Sequence, residues 1–205
     1  QDGAYLAQLL IAKGYRVIGT ARNSGNVGDW RLRHLGIYDQ VEIAEADLLE
    51  DVSVSKLISQ VRPDEFYNLA AQSSVGKSFQ QPIMTSQITA EAVTRILESI
   101  RIWSPETRFY QASSSELFGD GASGQRNEET PFHPRSPYAI SKLYAHWMVI
   151  NYREAYGLKS CCGLLFNHES PLRGEQFVTR KITKGLSMVA LGSSTALAWA
   201  ISTCG

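Results

Sequence analysis

The apolar positions along this chain follow two periods, one typical of buried strands and the other of helices that cover a sheet. Short apolar runs predict five strands, at residues 15–20, 41–44, 65–69, 108–112 and 160–166. Between the strands, apolar residues recur every three or four positions, most clearly at Ile88, Ala92, Ile96 and Ile100 in a predicted helix at residues 82–101. Alternation of strands with helices predicts an α/β fold, a doubly wound (Rossmann-type) parallel sheet covered on both faces.

The start of the chain suggests how this sheet departs from a complete one. A helix carrying Leu6, Leu9 and Leu10 is predicted to begin after Gly3 and to end at Gly14, a C-cap residue. Gly3 stands where the last glycine of a dinucleotide-binding turn would precede its helix. The sequence shows no strand or earlier glycines before it, so we expect a sheet that lacks its first strand.

Composition narrows the class of protein without naming a function. The 205 residues are 43% hydrophobic and 20% charged, with 20 basic and 20 acidic side chains. This balance predicts a soluble globular protein and no bulk electrostatic partner such as nucleic acid. No apolar run approaches the ~18 residues of a membrane span, and three cysteines make neither a disulfide framework nor a metal site.

Ligands of doubly wound sheets bind at the carboxyl ends of the strands, and the candidate polar and small residues lie there. The first visible strand ends in Thr20-Ala21-Arg22-Asn23, without the carboxylate that usually holds the ribose of NAD. The Arg22 guanidinium is suited to a 2′-phosphate, so NADP is favoured over NAD, although an exposed surface arginine would leave the choice open. Small residues at 70–71 and 113–115 would allow a flat ligand to approach the backbone closely.

The stretch Ser136-Pro137-Tyr138-Ala139-Ile140-Ser141-Lys142 predicts the start of a helix with Tyr138 and Lys142 on one face. An ammonium near a phenol favours the phenolate, so we expect Lys142 to lower the pKa of Tyr138 from about 10. Tyr138 would then serve as a base toward a sugar or alcohol hydroxyl. The preceding strand end, Ser113-Ser114-Ser115-Glu116, adds hydroxyls and a carboxylate.

With these residues in view, the sequence resembles the GDP-mannose 4,6-dehydratases, a family of extended short-chain dehydrogenases/reductases. The resemblance covers residues 1–192 and is carried by Gln1-Asp2-Gly3-Ala4-Tyr5-Leu6, Tyr67-Asn68-Leu69-Ala70-Ala71-Gln72-Ser73, Arg108-Phe109-Tyr110-Gln111-Ala112-Ser113, Pro134-Arg135-Ser136-Pro137-Tyr138-Ala139 and Leu165-Phe166-Asn167-His168-Glu169-Ser170-Pro171.

The resemblance implies that GDP-mannose is dehydrated to GDP-4-keto-6-deoxymannose by an internal hydride relay on one bound NADP. It implies that Tyr138, with Lys142, removes the proton of the C4 hydroxyl, and that Glu116 takes the C5 proton and helps water leave from C6. Ser114, where the family usually has threonine, would hydrogen-bond the C4 oxygen.

The resemblance also implies binding residues and an assembly. The cofactor-binding residues would be Tyr138, Lys142, Gly3, Arg22, Asp47, Leu48, Leu69, Ala70, Ala71, Ser73, His168 and Arg173. Ser114, Glu116, Asn167 and Lys181 would contact the nucleotide-sugar. Residues 22–33 resemble a segment that reaches a neighbouring subunit's cofactor, which implies a cytoplasmic homotetramer; without the resemblance, they predict a flexible Gly/Asn loop.

The resemblance divides the chain into three parts. Residues 1–166 would form an NADP-binding domain without its first strand, and 167–192 the start of a substrate-binding portion. Residues 193–205 depart from the family pattern, so we interpret the chain as a fragment that is inactive by itself.

Two alternatives remain open from the sequence. One is another NAD(P)-dependent nucleotide-sugar dehydratase or a 4-epimerase, although an epimerase has no use for Glu116 as a C5 base. The other is a non-catalytic NADP-binding regulator, which would not need the pair Tyr138 and Lys142.

Overall fold

A computed structural model describes residues 1–22, 29–120 and 124–192 of the chain. Five strands run at Val17–Ala21 (β1), Val41–Glu45 (β2), Glu65–Asn68 (β3), Arg108–Ala112 (β4) and Ser160–Gly163 (β5). The helices span Asp2–Ala12 (α1), Asp29–His34 (α2), Asp51–Val61 (α3), Val75–Gln80 (α4), Pro82–Ser86 (α5), Ala92–Trp103 (α6), Pro137–Tyr156 (α7) and Val178–Ala190 (α8). Among these helices, none combines the length and the apolar character that crossing a membrane requires.

All strand pairings in the described residues are parallel. β1 pairs with β2, Val17 lying opposite Val41, and β4 lies between β3 and β5, so that Asn68 is opposite Gln111. The pairs form two sheets, because no described strand bridges β1 and β3. The α/β prediction with parallel strands is confirmed, and the division falls where the first strand was expected to be absent.

Two separate apolar clusters stabilise the molecule. The larger joins α3, α6 and α7 to β4 and includes Ile58, Ile96 and Phe109, each no more than 1% exposed. The smaller lies between α1 and β2 and is centred on Ala7, Ile37 and Val41. The helical spacing predicted the inward face of α6 correctly, because every third or fourth residue of a helix faces the same side.

Glycine has a required conformation at two positions that shape the fold. Gly14 follows α1 with φ of +82°, a left-handed conformation that suits its predicted role at the helix end. Gly119 has φ of +53°, and a Cβ there would lie 2.0 Å from the carbonyl oxygen of His133. The loop after β4 therefore packs too closely on the segment before α7 to accept any larger residue.

Some predicted boundaries and segments were wrong. Residues 29–33 of the predicted loop at 22–33 belong to α2, and residues 23–28 lie outside the described residues. The strand predicted at 160–166 ends at Gly163, and the helix predicted at 82–101 is interrupted by a π-helical turn at Gln87–Glu91. The interpretation of the tail at 193–205 rests on the sequence alone, because all of it lies outside the described residues.

The larger cluster generates a prediction about stability. Replacing Ile96 by alanine should lower the free energy of unfolding by about 2–5 kcal/mol, because it leaves a cavity in a packed core. Ile102, in the same helix but 52% exposed, is the matched control and should change stability by less than about 0.5 kcal/mol. Urea unfolding of both variants makes the comparison, and equal losses would show that the α6 core face is wrongly identified.

Candidate active site

A sharp turn at the end of β4 brings two of the predicted catalytic residues together. Ser114 caps the 3₁₀ turn Ser115–Phe118, its Oγ accepting a hydrogen bond of 3.2 Å from the Glu116 N–H. The turn is anchored to the segment after β5, since Ser115 N donates to Leu165 O at 2.8 Å. Ser114 is buried while Glu116 is exposed, so the carboxylate faces the solvent side of the site.

The first two turns of α7 supply the other two predicted catalytic residues. Ser136 caps the helix by accepting a hydrogen bond of 3.1 Å from Ala139 N, and Pro137 occupies the first turn, where its missing N–H is not needed. These signals place Tyr138 and Lys142 one helical turn apart, 8% and 3% exposed. The Lys142 Nζ lies 5.9 Å from the centroid of the Tyr138 ring.

The Lys142 ammonium is fixed by a backbone carbonyl. Its Nζ donates to Ala112 O at 2.7 Å, and the same oxygen accepts from Gln111 Nε2 at 3.0 Å. Gln111 Oε1 in turn accepts from Asn68 Nδ2 at 2.8 Å, and Asn68 Oδ1 accepts from Ala70 N at 3.3 Å. A continuous network, buried except at Ala70, therefore connects the loop after β3 with the predicted catalytic lysine.

Burial dominates the electrostatics of the pair. The pKa of Tyr138 is raised, chiefly because burial disfavours the phenolate, while a hydrogen bond with Ser114 opposes the shift and the negative charge of Glu116 adds to it. The prediction that Lys142 lowers this pKa was wrong for the chain as described. The ammonium is directed at Ala112, and burial lowers its own pKa to about 8.

The amino end of α1 joins several residues predicted to contact a cofactor. A Cβ on Gly3 would lie 3.7 Å from Leu69 Cδ1, so this turn of α1 adjoins the end of β3. His168 is held on its other side, with Nε2 2.9 Å from Asp2 Oδ1 and Nδ1 2.7 Å from Phe166 O. The Phe166 carbonyl, which is the larger cause, and the Asp2 carboxylate raise the pKa of the His168 imidazole.

The remaining predicted residues lie after strands or, in the case of Arg173 and Lys181, before and within α8. Asp47 Oδ1 accepts from Leu49 N at 3.0 Å in the turn after β2, and Arg173 Nε is 3.4 Å from Glu169 Oε2. Arg22 is exposed directly after β1. Of the other predicted residues, Leu48 and Ala71 are half-buried, whereas Ala70, Ser73, Asn167 and Lys181 are exposed.

The described contacts thus assemble the predicted residues into separate groups. Ser114, Glu116, Tyr138 and Lys142 form one group, and Gly3, Leu69 and His168 form another around α1. Within the described residues, neither Asn167 nor Lys181 hydrogen-bonds or pairs with the first group, so their assignment to the substrate stays a prediction.

Comparison with known proteins decides the family. A family model described as GDP-mannose 4,6 dehydratase matches residues 1–199. The chain belongs to the GDP-mannose 4,6-dehydratase family.

Relatives from bacteria and plants agree with this assignment. GDP-mannose 4,6-dehydratase of Vibrio cholerae is 48% identical over 201 residues, covering 94% of this chain and 54% of the relative. GDP-mannose 4,6 dehydratase 2 of Arabidopsis thaliana is 47% identical over 207 residues, covering 96% and 55% respectively. The chain spans about half the length of the curated relatives it matches.

Solved structures share the fold. RMD from Pseudomonas aeruginosa complexed with NADPH has a TM-score of 0.72 and 26% identity, covering 88% of this chain and 64% of that one. DesIV, a dTDP-glucose 4,6-dehydratase from Streptomyces venezuelae with NAD and TYD bound, has a TM-score of 0.79 at 19% identity, covering 90% and 58%. The second likeness is evidence for the fold alone.

Sequence reasoning missed two polar networks in this member of the GDP-mannose 4,6-dehydratase family. Asn68 and Gln111 are 4% and 1% exposed inside strands, and polar residues in otherwise buried strands were the available signal. The second network holds Gln72, whose N–H donates to Thr89 Oγ1 at 3.2 Å and whose Nε2 donates to Thr85 Oγ1 at 3.3 Å. Thr89 lies in the π-helical turn, and Thr85 lies in the helix just before it. The apolar periodicity did not reveal this turn.

The buried lysine predicts a dependence of stability on pH. Its pKa of about 8 lies below the ordinary lysine value of 10.5, so the folded chain releases this proton at a lower pH than the unfolded chain does. The free energy of unfolding of the wild type, minus that of a Lys142→Met variant, should be constant below pH 8. It should rise between pH 8 and 10.5, by about 3 kcal/mol in total.

Urea unfolding of both proteins across this pH range measures the difference between their free energies of unfolding. The titration of the other groups largely cancels in this difference. A matched control is Lys159→Met, since Lys159 pairs with Glu106 on the surface. Parallel curves for the wild type and Lys142→Met would contradict a depressed lysine pKa.

Proposed function

We propose that this chain carries the catalytic half of an enzyme that dehydrates GDP-mannose to GDP-4-keto-6-deoxymannose. The observation that supports the proposal is the grouping of Ser114, Tyr138 and Lys142 in a buried corner with Glu116 on its solvent side. A hydroxyl, a phenol and an ammonium suit transfer of a proton from an alcohol, and a nearby carboxylate suits removal of the proton beside the resulting ketone. Family membership supports the choice of substrate.

The residues present fit a nicotinamide cofactor, which we propose to be NADP. The loop after β3 offers the small side chains of Ala70 and Ala71, and Ser113 Oγ is buried with no partner among the described residues. Gly3 and Asp2 lie in the first turn of α1, where free N–H groups favour a pyrophosphate. When bound, the cofactor would accept a hydride from C4 of the sugar and later return it to C6.

Tyr138 and Ser114 would handle the proton of the C4 hydroxyl. The raised pKa of the buried phenol means that Tyr138 needs a positive charge nearby to act as a base at neutral pH. Lys142 would be the source of this charge in the enzyme, although its ammonium is directed at Ala112 in the described chain, and its pKa of about 8 would limit this assistance to neutral or lower pH. Ser114 hydrogen-bonds the phenol and would orient the sugar oxygen.

Glu116 would serve first as base and then as acid. A ketone at C4 acidifies the proton at C5, and an exposed carboxylate beside Tyr138 can accept this proton. The carboxylic acid formed can then protonate the C6 hydroxyl as it leaves as water. Once a hydride has been returned to C6, C5 would recover a proton from the Tyr138 hydroxyl, which holds the one removed at C4, or from solvent. An epimerase needs neither step, so Glu116 favours the dehydratase over that alternative.

We further propose a homotetrameric, cytoplasmic enzyme whose residues 22–33 approach the cofactor of a neighbouring subunit. Asn167 and Lys181 would contact the diphosphate or ribose of the nucleotide-sugar. Both are exposed and polar, as such contacts require. The support for the assembly is the resemblance of this segment to the family.

Glu116→Gln should abolish dehydration while leaving cofactor binding unchanged, because only a carboxylate can carry the C5 and C6 protons. The test uses a chimera in which residues 1–192 replace the matching segment of the Vibrio cholerae relative. Mass spectrometry of GDP-mannose incubated with NADP⁺ measures turnover, and Glu154→Gln, an exposed change on α7, is the control. Turnover of Glu116→Gln within a few-fold of the parent chimera would remove Glu116 from this role.

Arg22→Ala should weaken NADP far more than NAD, by about 1.5–3 kcal/mol, because it removes a charge-assisted contact to the 2′-phosphate. Arg16→Ala is the matched control, since Arg16 stands before the opposite end of β1 and pairs with Glu42. Calorimetric titration of both cofactors into the chimera gives the affinities. Equal weakening of NADP and NAD would assign Arg22 a structural or interface role.

A further inference from the structure

The turn that carries Glu116 is held between two neighbouring segments of the chain. Ser115 N donates to Leu165 O at 2.8 Å on one side, and His133 N donates to Leu117 O at 2.8 Å on the other. One of these bonds reaches the segment after β5, and the other reaches the segment that precedes α7. The turn is therefore the middle one of three chain segments that meet at the candidate site.

Each of the three segments contributes one phenylalanine to a continuous group of rings. The centroid of the Phe118 ring, at the end of the turn, lies 5.3 Å from that of Phe132 before α7 and 6.1 Å from that of Phe166 after β5. These distances are typical of favourable aromatic pairs. We call these three residues the phenylalanine stack. Its two outer members each precede or follow a residue that hydrogen-bonds the turn, so ring contacts and backbone bonds act at the same places.

The central ring of the stack is the most deeply buried. Phe118 is 2% exposed, whereas Phe132 is half-buried and Phe166 is 53% exposed. A buried ring in a packed region has few alternative positions, because neighbouring side chains occupy the space that another rotamer would need. The stack therefore also restricts where Glu116, two residues before Phe118, can lie.

The stack continues to the helix that carries the phenol. The Phe132 ring lies 5.1 Å from the His146 imidazole in an edge-to-face arrangement at 74°. Burial is the main cause that lowers the pKa of His146, so the imidazole is neutral near neutral pH and packs as an uncharged aromatic ring. On α7, His146 lies one turn after Lys142 and two turns after Tyr138. The phenylalanine stack thus connects the turn after β4 with the face of α7 that carries Tyr138.

We propose that the phenylalanine stack positions the Glu116 carboxylate beside Tyr138 for removal of the C5 proton, an inference that rests on the proposed function. A proton acceptor must lie within hydrogen-bond reach of the proton, and a displacement of ~1 Å can lower a rate about 100-fold. Tyr138 is positioned independently, because the Ser136 cap and the Lys142 bond to Ala112 fix the start of α7. Loosening the stack therefore impairs the step at C5 and leaves the step at C4 unchanged.

Three variants of the chimera that carries residues 1–192 test this role. Phe132→Ala removes one ring of the stack, and Phe132→Tyr keeps an aromatic ring at the same half-buried position. The matched control is Tyr156→Ala, which removes an aromatic contact of 4.9 Å with Tyr152 from a residue that is 54% exposed at the far end of α7. Turnover of GDP-mannose per cofactor-binding site should fall about 10- to 100-fold in Phe132→Ala and stay within about threefold of the parent in the other two variants.

Isotope effects identify the step that becomes slow. In Phe132→Ala, deuterium at C5 of the mannose should slow turnover, whereas deuterium at C4 should not, because removal of the C5 proton then limits the rate. Expressing the rate per cofactor-binding site means that a smaller amount of folded enzyme does not imitate this result. Turnover of Phe132→Ala within about threefold of the parent, an isotope effect at C4, no isotope effect at C5, or an equal loss in Phe132→Tyr would overturn the proposal.

A second measurement needs no turnover. Amide exchange at Ser115 and His133, the donors of the two flanking hydrogen bonds, should become about tenfold faster in Phe132→Ala and remain unchanged in Tyr156→Ala. Unchanged exchange in Phe132→Ala would show that the stack does not hold the turn. A parent chimera that fails to dehydrate GDP-mannose would overturn the proposed function and this inference together, whereas an active parent with any of the contrary results above would overturn the inference alone.

Discussion

The contact between Lys142 and the carbonyl of Ala112 is the constraint on which the candidate site depends. It ties the first turns of α7 to the end of β4 across a buried region. A buried ammonium is unfavourable unless its donors are satisfied, so this bond determines where the helix can lie. Tyr138, one turn earlier, is positioned beside Ser114 as a consequence.

The same carbonyl links the site to the rest of the sheet. Gln111 and Asn68 extend the network across the register pair of β4 and β3 to the loop at Ala70. A change in this loop therefore reaches the lysine through hydrogen bonds rather than through apolar packing. In the proposed enzyme, this connection would join the position of the cofactor to the charge beside the catalytic phenol.

Periodicity and capping were sufficient to predict the strands and the inward face of α6, because burial imposes a repeat that the side chains must follow. The start of α7 was predictable from Ser136 and Pro137 for the same local reasons. The pKa of Tyr138 was predicted wrongly, because the spacing of Tyr138 and Lys142 shows that they share a face but not where the ammonium is directed. The Gln72 network was missed because it joins residues 13 and 17 positions apart in the chain. The π-helical turn was missed because the apolar periodicity continues through it.

The described residues contain one larger and one smaller apolar cluster. The Tyr138 site lies on α7, which packs in the larger cluster. The α1 turn, where a pyrophosphate is proposed to bind, packs on the smaller cluster instead. The geometry of the reacting group and the geometry of the cofactor site are therefore stabilised by different parts of the chain.

In the proposed reaction, the hydrogen removed from C4 of the sugar returns internally to C6 during dehydration. The most direct measurement uses GDP-mannose with deuterium at C4 of mannose, incubated with NADP⁺ and the chimera that carries residues 1–192. The account predicts a product lighter by one water that retains the deuterium at C6, seen by mass spectrometry and NMR. A product of unchanged mass, or one that has lost the deuterium to solvent, would contradict it.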